Sequence, residues 1–467
     1  MSEDRHALGR AALHALAHLD ALETSSVAPS VSLCGLRQAL NRPLSRQGVP
    51  ATQVIDELVE DTRGGIMGIQ GGRFFGWVMG GGLPAAMAAD WLTTVWDQNA
   101  GIYAASPAAA VAEEVAGAWL REIFELPEEA SFAFTTGTQM AHATCLAAAR
   151  HAVLAARGWN VERKGLCGAP RVRILASADR HGSVDRALRL LGFGVEAIEP
   201  LPGDGAGRVA PDGLAAALAR SDAPAIVVLQ AGELNLAAFD RFADLAAIAR
   251  TAGAWTHVDG AFGLWARACP EIRHLVDGVE LCDSWTTDAH KILNVPYDSG
   301  IAFVRDAAAH RAAMTLSTSY LPASSAARDE IDWNPEFSRR ARGFAIYAAL
   351  RQLGRDGLAG LIARLKRHAR AIAEGIGRLP HAQVIAVSEM NQALVRFLSP
   401  VPGAGDADHD RRTDAVIAAI NASGEAYFGG VTWRGRRAMR ISVCNWRTSE
   451  ADVARVVAAA QAALAAA

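Results

Sequence analysis

Between about residues 85 and 306, short runs of branched apolar residues alternate with segments of helical periodicity. Few folds accommodate such a pattern. Candidate strands lie at 171–177, 194–199, 225–230, 254–259, 283–288 and 300–305, with apolar-periodic helices at 140–156, 183–192 and 239–253 between some of them. A strand that returns through a helix pairs parallel to its predecessor, so the expectation is an α/β fold with a mostly parallel sheet covered by helices. In open sheets of this kind ligands bind beyond the carboxyl ends of the strands, and that is where functional residues are sought.

The chain has 467 residues, more than one hydrophobic core usually serves. Three regions are expected: an N-terminal arm and adjoining segment at 1–84, a large α/β domain at 85–334, and a smaller α+β domain at 335–467. The last opens near Pro335 on an arginine-studded helix and closes on an alanine-rich one. The glycine-rich passage GIQGGRFFGWVMGGGLP at 68–84 reads as a loop holding Phe74, Phe75 and Trp77. It matches neither GxGxxG after a strand nor GK[ST], so neither common phosphate-binding signature is present.

A net charge of −3 gives no basic field for nucleic acid or anionic lipid. No apolar run reaches spanning length, and the start MSEDRHALGR lacks the apolar core of a signal peptide, so a cytoplasmic protein without membrane or nucleic-acid partners is expected. The six cysteines are scattered without metal-ligand spacing, which points to reduced, mostly buried thiols and to no metal site.

Only three lysines occur, Lys164, Lys291 and Lys366. Lys291 follows a candidate strand in SWTTDAHKILNVP and precedes an apolar run, a setting that favours the neutral amine needed to condense with an aldehyde. The plainer reading is a surface lysine. Asp259 ends the apolar strand in WTHVDGAFG, where an unpaired charge is costly; a pyridinium nitrogen would satisfy it, as would a salt bridge or a metal. Lys291 and Asp259 stand 32 residues apart, about one βαβ unit. His181, in ASADRHGSVDRALRLLG, lies between a strand and a helix, where it can stack on a flat cofactor or simply cap the helix. In FTTGTQMAHATCLAAAR, Gly137, Thr138 and Gln139 open a helix whose N-terminal N–H groups suit a phosphate, although the same residues make an ordinary cap.

In this order these stretches resemble the decarboxylases of amino acids that depend on pyridoxal 5'-phosphate (PLP), the group that includes the aromatic-amino-acid and glutamate enzymes. The likeness runs from about Gly68 to the C-terminus, with DAHK, HVDGAFG and RHGSVD its most specific parts. It implies PLP fold type I, the aspartate-aminotransferase-like architecture, and places Lys291 on the cofactor aldehyde, Asp259 on the pyridine nitrogen, and His181 and Ala261 on the two faces of the ring. Gly137, Thr138 and Gln139 then match the phosphate loop, Asp288 and His290 stand near the phosphate, and Asn235 supplies a polar group beside the aspartate and phosphate. Arg440 matches a position that meets a substrate carboxylate in glutamate-type members, with a structural ion pair as the alternative. Phe74 and Phe75 are candidates for the substrate pocket or for simple core.

The activity implied is decarboxylation of an L-amino acid to the amine and CO₂ through a quinonoid intermediate, by a homodimer acting on a small-molecule substrate. The loop tyrosine that serves as proton donor in aromatic members has Tyr320 as its one counterpart between Ser317 and Ser338, earlier than the family pattern places it. Aldehyde synthesis, aldol-type cleavage and transamination therefore stay open as reactions on the same fold. A non-catalytic binding relative is the alternative of another class.

Overall fold

The computed structural model describes residues 2–316 and 327–466, which divide into two compact units. One gathers residues 1–77, 371–385 and 394–467; the other holds 78–370 and 386–393.

The first unit begins with helices α1 (Glu3–Ala21), α2 (Leu33–Leu40) and α3 (Ala51–Asp61), of which none buries a residue completely. Ser32 caps α2 by accepting the Gly35 N–H at 3.1 Å, and proline and polar residues keep 41–50 out of regular structure.

The second unit opens with α4 (Pro84–Trp96) and α5 (Pro107–Ile123), each with proline in its first turn, where the missing N–H costs nothing. Then follow β1 (Ser131–Thr135), α6 (Thr138–Ala155), α7 (Val161–Lys164), β2 (Arg173–Ser177), α8 (Gly182–Leu190), β3 (Ile198–Leu201), α9 (Pro211–Leu218), β4 (Ala225–Gln230), α10 (Phe242–Thr251), β5 (Trp255–Asp259), β6 (Ser284–Asp288), β7 (Gly300–Val304) and α11 (Ala307–Met314). The strands form one sheet in the order β1-β7-β6-β5-β4-β2-β3. Strands β2 to β6 pair parallel with their neighbours, and β7 runs antiparallel to both β6 and β1. This mostly parallel sheet with helices between its strands is the α/β architecture expected.

All but one of these strands are buried along their whole length, so they read as continuous apolar runs and not as alternation. The exception is the edge strand β3, in which Glu199 is half-buried and Pro200 exposed. Helix α6 packs against the sheet with alanines, Leu146, Cys145 and Leu154, small side chains that let backbone and strands approach closely.

Several expected boundaries move. Strand 194–199 starts only at Ile198, because 195–197 close a 3-10 turn. The arginine-studded helix expected from Pro335 starts at Gly343 as α12 (Gly343–Gly377), since Arg339 is spent on buried hydrogen bonds in irregular chain. Strand β1, five residues between an acidic turn and TTGT, was not anticipated.

The chain ends with β8 (Ala382–Val387), β9 (Gln392–Phe397), α13 (Asp406–Ser423), β10 (Gly429–Trp433), β11 (Arg436–Ser442) and α14 (Glu450–Ala466). Here a second sheet, β10-β11-β9-β8, provides the smaller α+β part. Among the described residues no helix is long and apolar enough to cross a membrane, and four of the six cysteines are buried free thiols.

Candidate active site

The carboxyl ends of the parallel strands carry the chemistry. Gln230 ends β4, Asp259 ends β5 opposite it in register, and Asp288 ends β6. Two hydrogen bonds join the last two, and a third contact brings in Lys291. Ala261 N–H donates to Asp259 Oδ1 at 3.2 Å, Asp288 N–H donates to the Ala261 carbonyl at 2.9 Å, and Lys291 Nζ stands 3.0 Å from Asp288 Oδ2. The amine and the strand-end carboxylate are thus tied to one short stretch of backbone.

Asp288 is a buried anion with three donors. Besides Lys291 it accepts the Thr138 N–H at 2.6 Å through Oδ1, and His290 Nε2 lies 3.5 Å from Oδ2. Burial alone would push its carboxyl up; the charges of Lys291 and His290 and these hydrogen bonds hold it below the usual carboxylate range. His290 is itself fixed: Nδ1 accepts the Ser299 N–H at 3.1 Å, so the ring hydrogen sits on Nε2, towards Asp288, and Tyr297 stacks on the ring at 4.4 Å. Burial makes its protonation harder.

Asp259 is 7% exposed, and an imidazole nitrogen, His142 Nε2, stands 3.5 Å from its Oδ2. Burial opposes its charge, yet His142, His181 and Lys291 together depress its carboxyl far below the ordinary value. Behind it, His142 Nδ1 meets His257 Nε2 at 2.8 Å. His257 precedes Asp259 by two strand positions and so shares its sheet face. Neither histidine was singled out from the sequence. HVD on a strand was the available signal for His257, and a histidine one turn after Thr138 on α6 the signal for His142.

The phosphate candidates surround the start of α6. Gly137 lies against the lysine turn, where an added Cβ would be 3.4 Å from His290 Cε1, and Gln139 Oε1 accepts from Arg186 at 3.4 Å. His181 is the N-cap of α8: its Nδ1 accepts the Ser183 N–H at 3.2 Å and meets Ser183 Oγ at 2.8 Å. Asn235 donates twice to Glu233 Oε1, through its backbone at 2.8 Å and its side chain at 2.6 Å.

One neighbour of Lys291 was missed altogether. Gly80 N–H donates to the His290 carbonyl at 3.2 Å, Gly81 N–H donates to Asn294 Oδ1 at 2.7 Å, and a Cβ on Gly80 would fall 2.1 Å from the Lys291 carbonyl oxygen. The glycine run at 80–82 is therefore a close backbone approach to the lysine turn.

The remaining candidates lie in the other unit. Phe74 and Phe75, 1% and 0% exposed, stack on Tyr427 at 5.1 Å and Phe428 at 5.2 Å, and Arg440 is buried on β11 opposite Gly429. Tyr320 lies outside the described residues.

Two buried polar atoms around this crevice, Thr138 Oγ1 and Gln230 Nε2, have no hydrogen-bond partner among the described residues. Unpaired buried groups of this kind are expensive, and with the charged Asp259 they fit a polar, cationic ring compound carrying an anionic group near α6. The sequence profile of the pyridoxal-dependent decarboxylase conserved domain matches residues 36–399. The chain belongs to that family. Its cofactor is pyridoxal 5'-phosphate, and it is a carboxy-lyase. L-2,4-diaminobutyrate decarboxylase of Rhizobium meliloti is 28% identical over 383 residues, 80% of this chain and 74% of that protein. Aromatic-L-amino-acid decarboxylase of Bos taurus is 27% identical over 455 residues, 93% and 90% of the two chains. In architecture this decarboxylase is similar to Oryza sativa TDC solved with PLP and tryptamine: TM-score 0.93 and 24% identity, with 99% and 98% of the chains covered.

Proposed function

We propose that this decarboxylase removes the α-carboxylate of an L-amino acid as CO₂ and releases the amine, with Lys291, Asp259 and His181 as its catalytic residues. The observation that carries the reading is the hydrogen-bonded path from Asp259 through Ala261 and Asp288 to Lys291 Nζ, which sets a carboxylate and an amine on one crevice.

Lys291 would hold the aldehyde end of the cofactor, Asp259 the ring nitrogen, and Ala261 and His181 the two ring faces. Gly137, Thr138 and Gln139 would hold the phosphate at the α6 N-terminus, where free N–H groups and the orphaned Thr138 hydroxyl favour an anion. The cofactor supplies an electron sink for the pair released when the Cα–carboxylate bond breaks. The chain supplies the rest. Asp288, 3.0 Å from Nζ, accepts from the Lys291 amine and holds it at the crevice. His181, with Nδ1 engaged by Ser183, carries its hydrogen on Nε2 and can deliver it.

A homodimer is part of the same reading. Trp91, Leu92, Val95 and Trp96 on α4 are each 46–57% exposed, an apolar face of the kind that subunits cover. Lys291→Ala tests the catalytic reading. It should abolish CO₂ release from every amino acid in a panel and remove the visible absorbance of the bound cofactor. Retention of both would refute the assignment. Assaying the same panel for ammonia and H₂O₂ separates amine release from aldehyde formation.

A further inference from the structure

Behind Asp259 lies a row of four buried side chains. Trp255 Nε1 is 2.9 Å from Ser284 Oγ, Ser284 Oγ is 2.9 Å from His257 Nδ1, His257 Nε2 is 2.8 Å from His142 Nδ1, and His142 Nε2 faces Asp259 Oδ2 at 3.5 Å. Trp255 is 8% exposed, and Ser284, His257 and His142 are completely covered. Decarboxylation needs no such chain of polar groups inside an apolar sheet, and each would be costly if its neighbour were missing.

The order of donors follows from what each group can do. An indole N–H only donates, so Ser284 Oγ accepts from Trp255 and keeps one hydrogen to give. Burial, and the neighbouring His142, make protonation of His257 much harder, so this ring is neutral with one hydrogen. If Ser284 gives its hydrogen to His257 Nδ1, then His257 carries its own on Nε2 and donates to His142 Nδ1. His142 is left with its hydrogen on Nε2, directed at the carboxylate. The reverse order would turn the lone pair of a neutral His142 on the Asp259 anion. Thr286 Oγ1, 3.5 Å from His142 Nδ1, spends its hydrogen on the Val258 carbonyl at 3.3 Å and leaves the order unchanged.

We infer that Trp255, Ser284, His257 and His142 form a one-way hydrogen-bond relay that supplies Asp259 Oδ2 with a fixed donor and so orients the carboxylate towards the ring nitrogen of the cofactor. The inference rests on the reading of Asp259 as partner of that nitrogen. None of the four need touch the cofactor; they are positioning residues, as partners behind a ligating side chain often are. Losing the donor leaves a buried carboxylate less well held, and the nitrogen keeps its proton less firmly.

The test uses the full chain reconstituted with PLP carrying ¹⁵N in the ring, with the nitrogen chemical shift and the cofactor Kd as readouts. The wild type should show the shift of a protonated ring nitrogen. His142→Leu and His257→Leu should move it towards the unprotonated value and weaken cofactor binding about tenfold, the scale of one hydrogen bond to a charged group. His257→Gln, which keeps an N–H at the place of Nε2, should restore the wild-type shift; a residue that only fills space would not discriminate the two. Trp255→Phe and Ser284→Ala should shift the signal the same way by less, and they decide the matter if the leucine variants fail to fold. Wild-type shifts in all folded relay variants, while Asp259→Ala moves the signal, would overturn the relay alone. A wild-type shift in Asp259→Ala would overturn the reading beneath it.

Discussion

The Lys291 amine and the Asp288 carboxylate stand 3.0 Å apart, and the same carboxylate accepts the first backbone N–H of α6 from Thr138 at 2.6 Å. One side chain thus fastens the lysine turn to the N-terminus of α6, where the phosphate is proposed to bind. Asp288→Asn keeps the shape and removes the charge. We expect cofactor affinity to fall about tenfold or more, as for loss of a charged hydrogen bond, with the fold intact by circular dichroism. Equilibrium titration followed in the visible range measures it, and an unchanged Kd would show that Asp288 is dispensable.

Gly80→Ala tests the close approach to the lysine turn. A Cβ there meets the Lys291 carbonyl oxygen at 2.1 Å, which backbone movement alone can relieve. CO₂ release should drop at least tenfold, whereas Gly205→Ala, where a Cβ meets nothing within 4 Å, should leave it unchanged. Equal activity in the two variants would mean that the lysine turn tolerates the displacement.

Acid should weaken the fold through the same carboxylates. Asp259 and Asp288 both titrate below the ordinary aspartate value in the folded chain. Their contribution to stability is complete above about pH 4, where unfolded aspartates ionise, and is lost as pH falls through their depressed native values. Denaturant melts from pH 6 to pH 3 should show this loss, and Asp288→Asn should flatten it. A variant with the same pH slope as the wild type would exclude Asp288 as a contributor.

Away from the crevice, Arg339 is fully buried against Glu113 at 3.1 Å and also donates to the Ala100 and Phe134 carbonyls. Removing one member leaves an uncompensated charge, so Arg339→Met should cost about 3–5 kcal/mol by denaturant melts. Glu113→Leu combined with Arg339→Met should cost less than the two single changes added together. Strict additivity would mean that the two residues act independently.

The exposed face of α4 gives a prediction about assembly. If the proposed homodimer forms through this face, Leu92→Glu with Val95→Glu should lower the mass in light scattering to that of a single chain. Unchanged mass would place any subunit contact elsewhere.

How much of this could be read in advance varied from residue to residue. The strand-end pattern pointed to Asp259 and Lys291, because a buried parallel strand is marked by an apolar run that stops at a polar residue, while Asp288 was reached only through the likeness of DAHK to the family motif. His142 and His257 escaped notice since the first lies inside the alanine-rich helix α6 and the second inside strand β5, where a histidine resembles an ordinary core residue. What distinguishes them is a partner 115 positions away, and no local pattern encodes that. Gly80 was hidden for a different reason. Its value lies in the atom it lacks, and only the packing of 80–82 against the lysine turn shows what that missing atom would strike. Strand β1 was overlooked because five residues offer too little periodicity against the helical signal that follows.

Strand β7 runs back beside β6, and only eleven residues, 289–299, connect Asp288 to Gly300. The loop bearing Lys291 is therefore stapled to the sheet at both ends, with no crossover helix to take up slack. Its length acts as a ruler: adding or deleting a residue there would carry the amine away from its partners without altering any of them, whereas loops tethered less tightly can vary in length while the reacting group stays put.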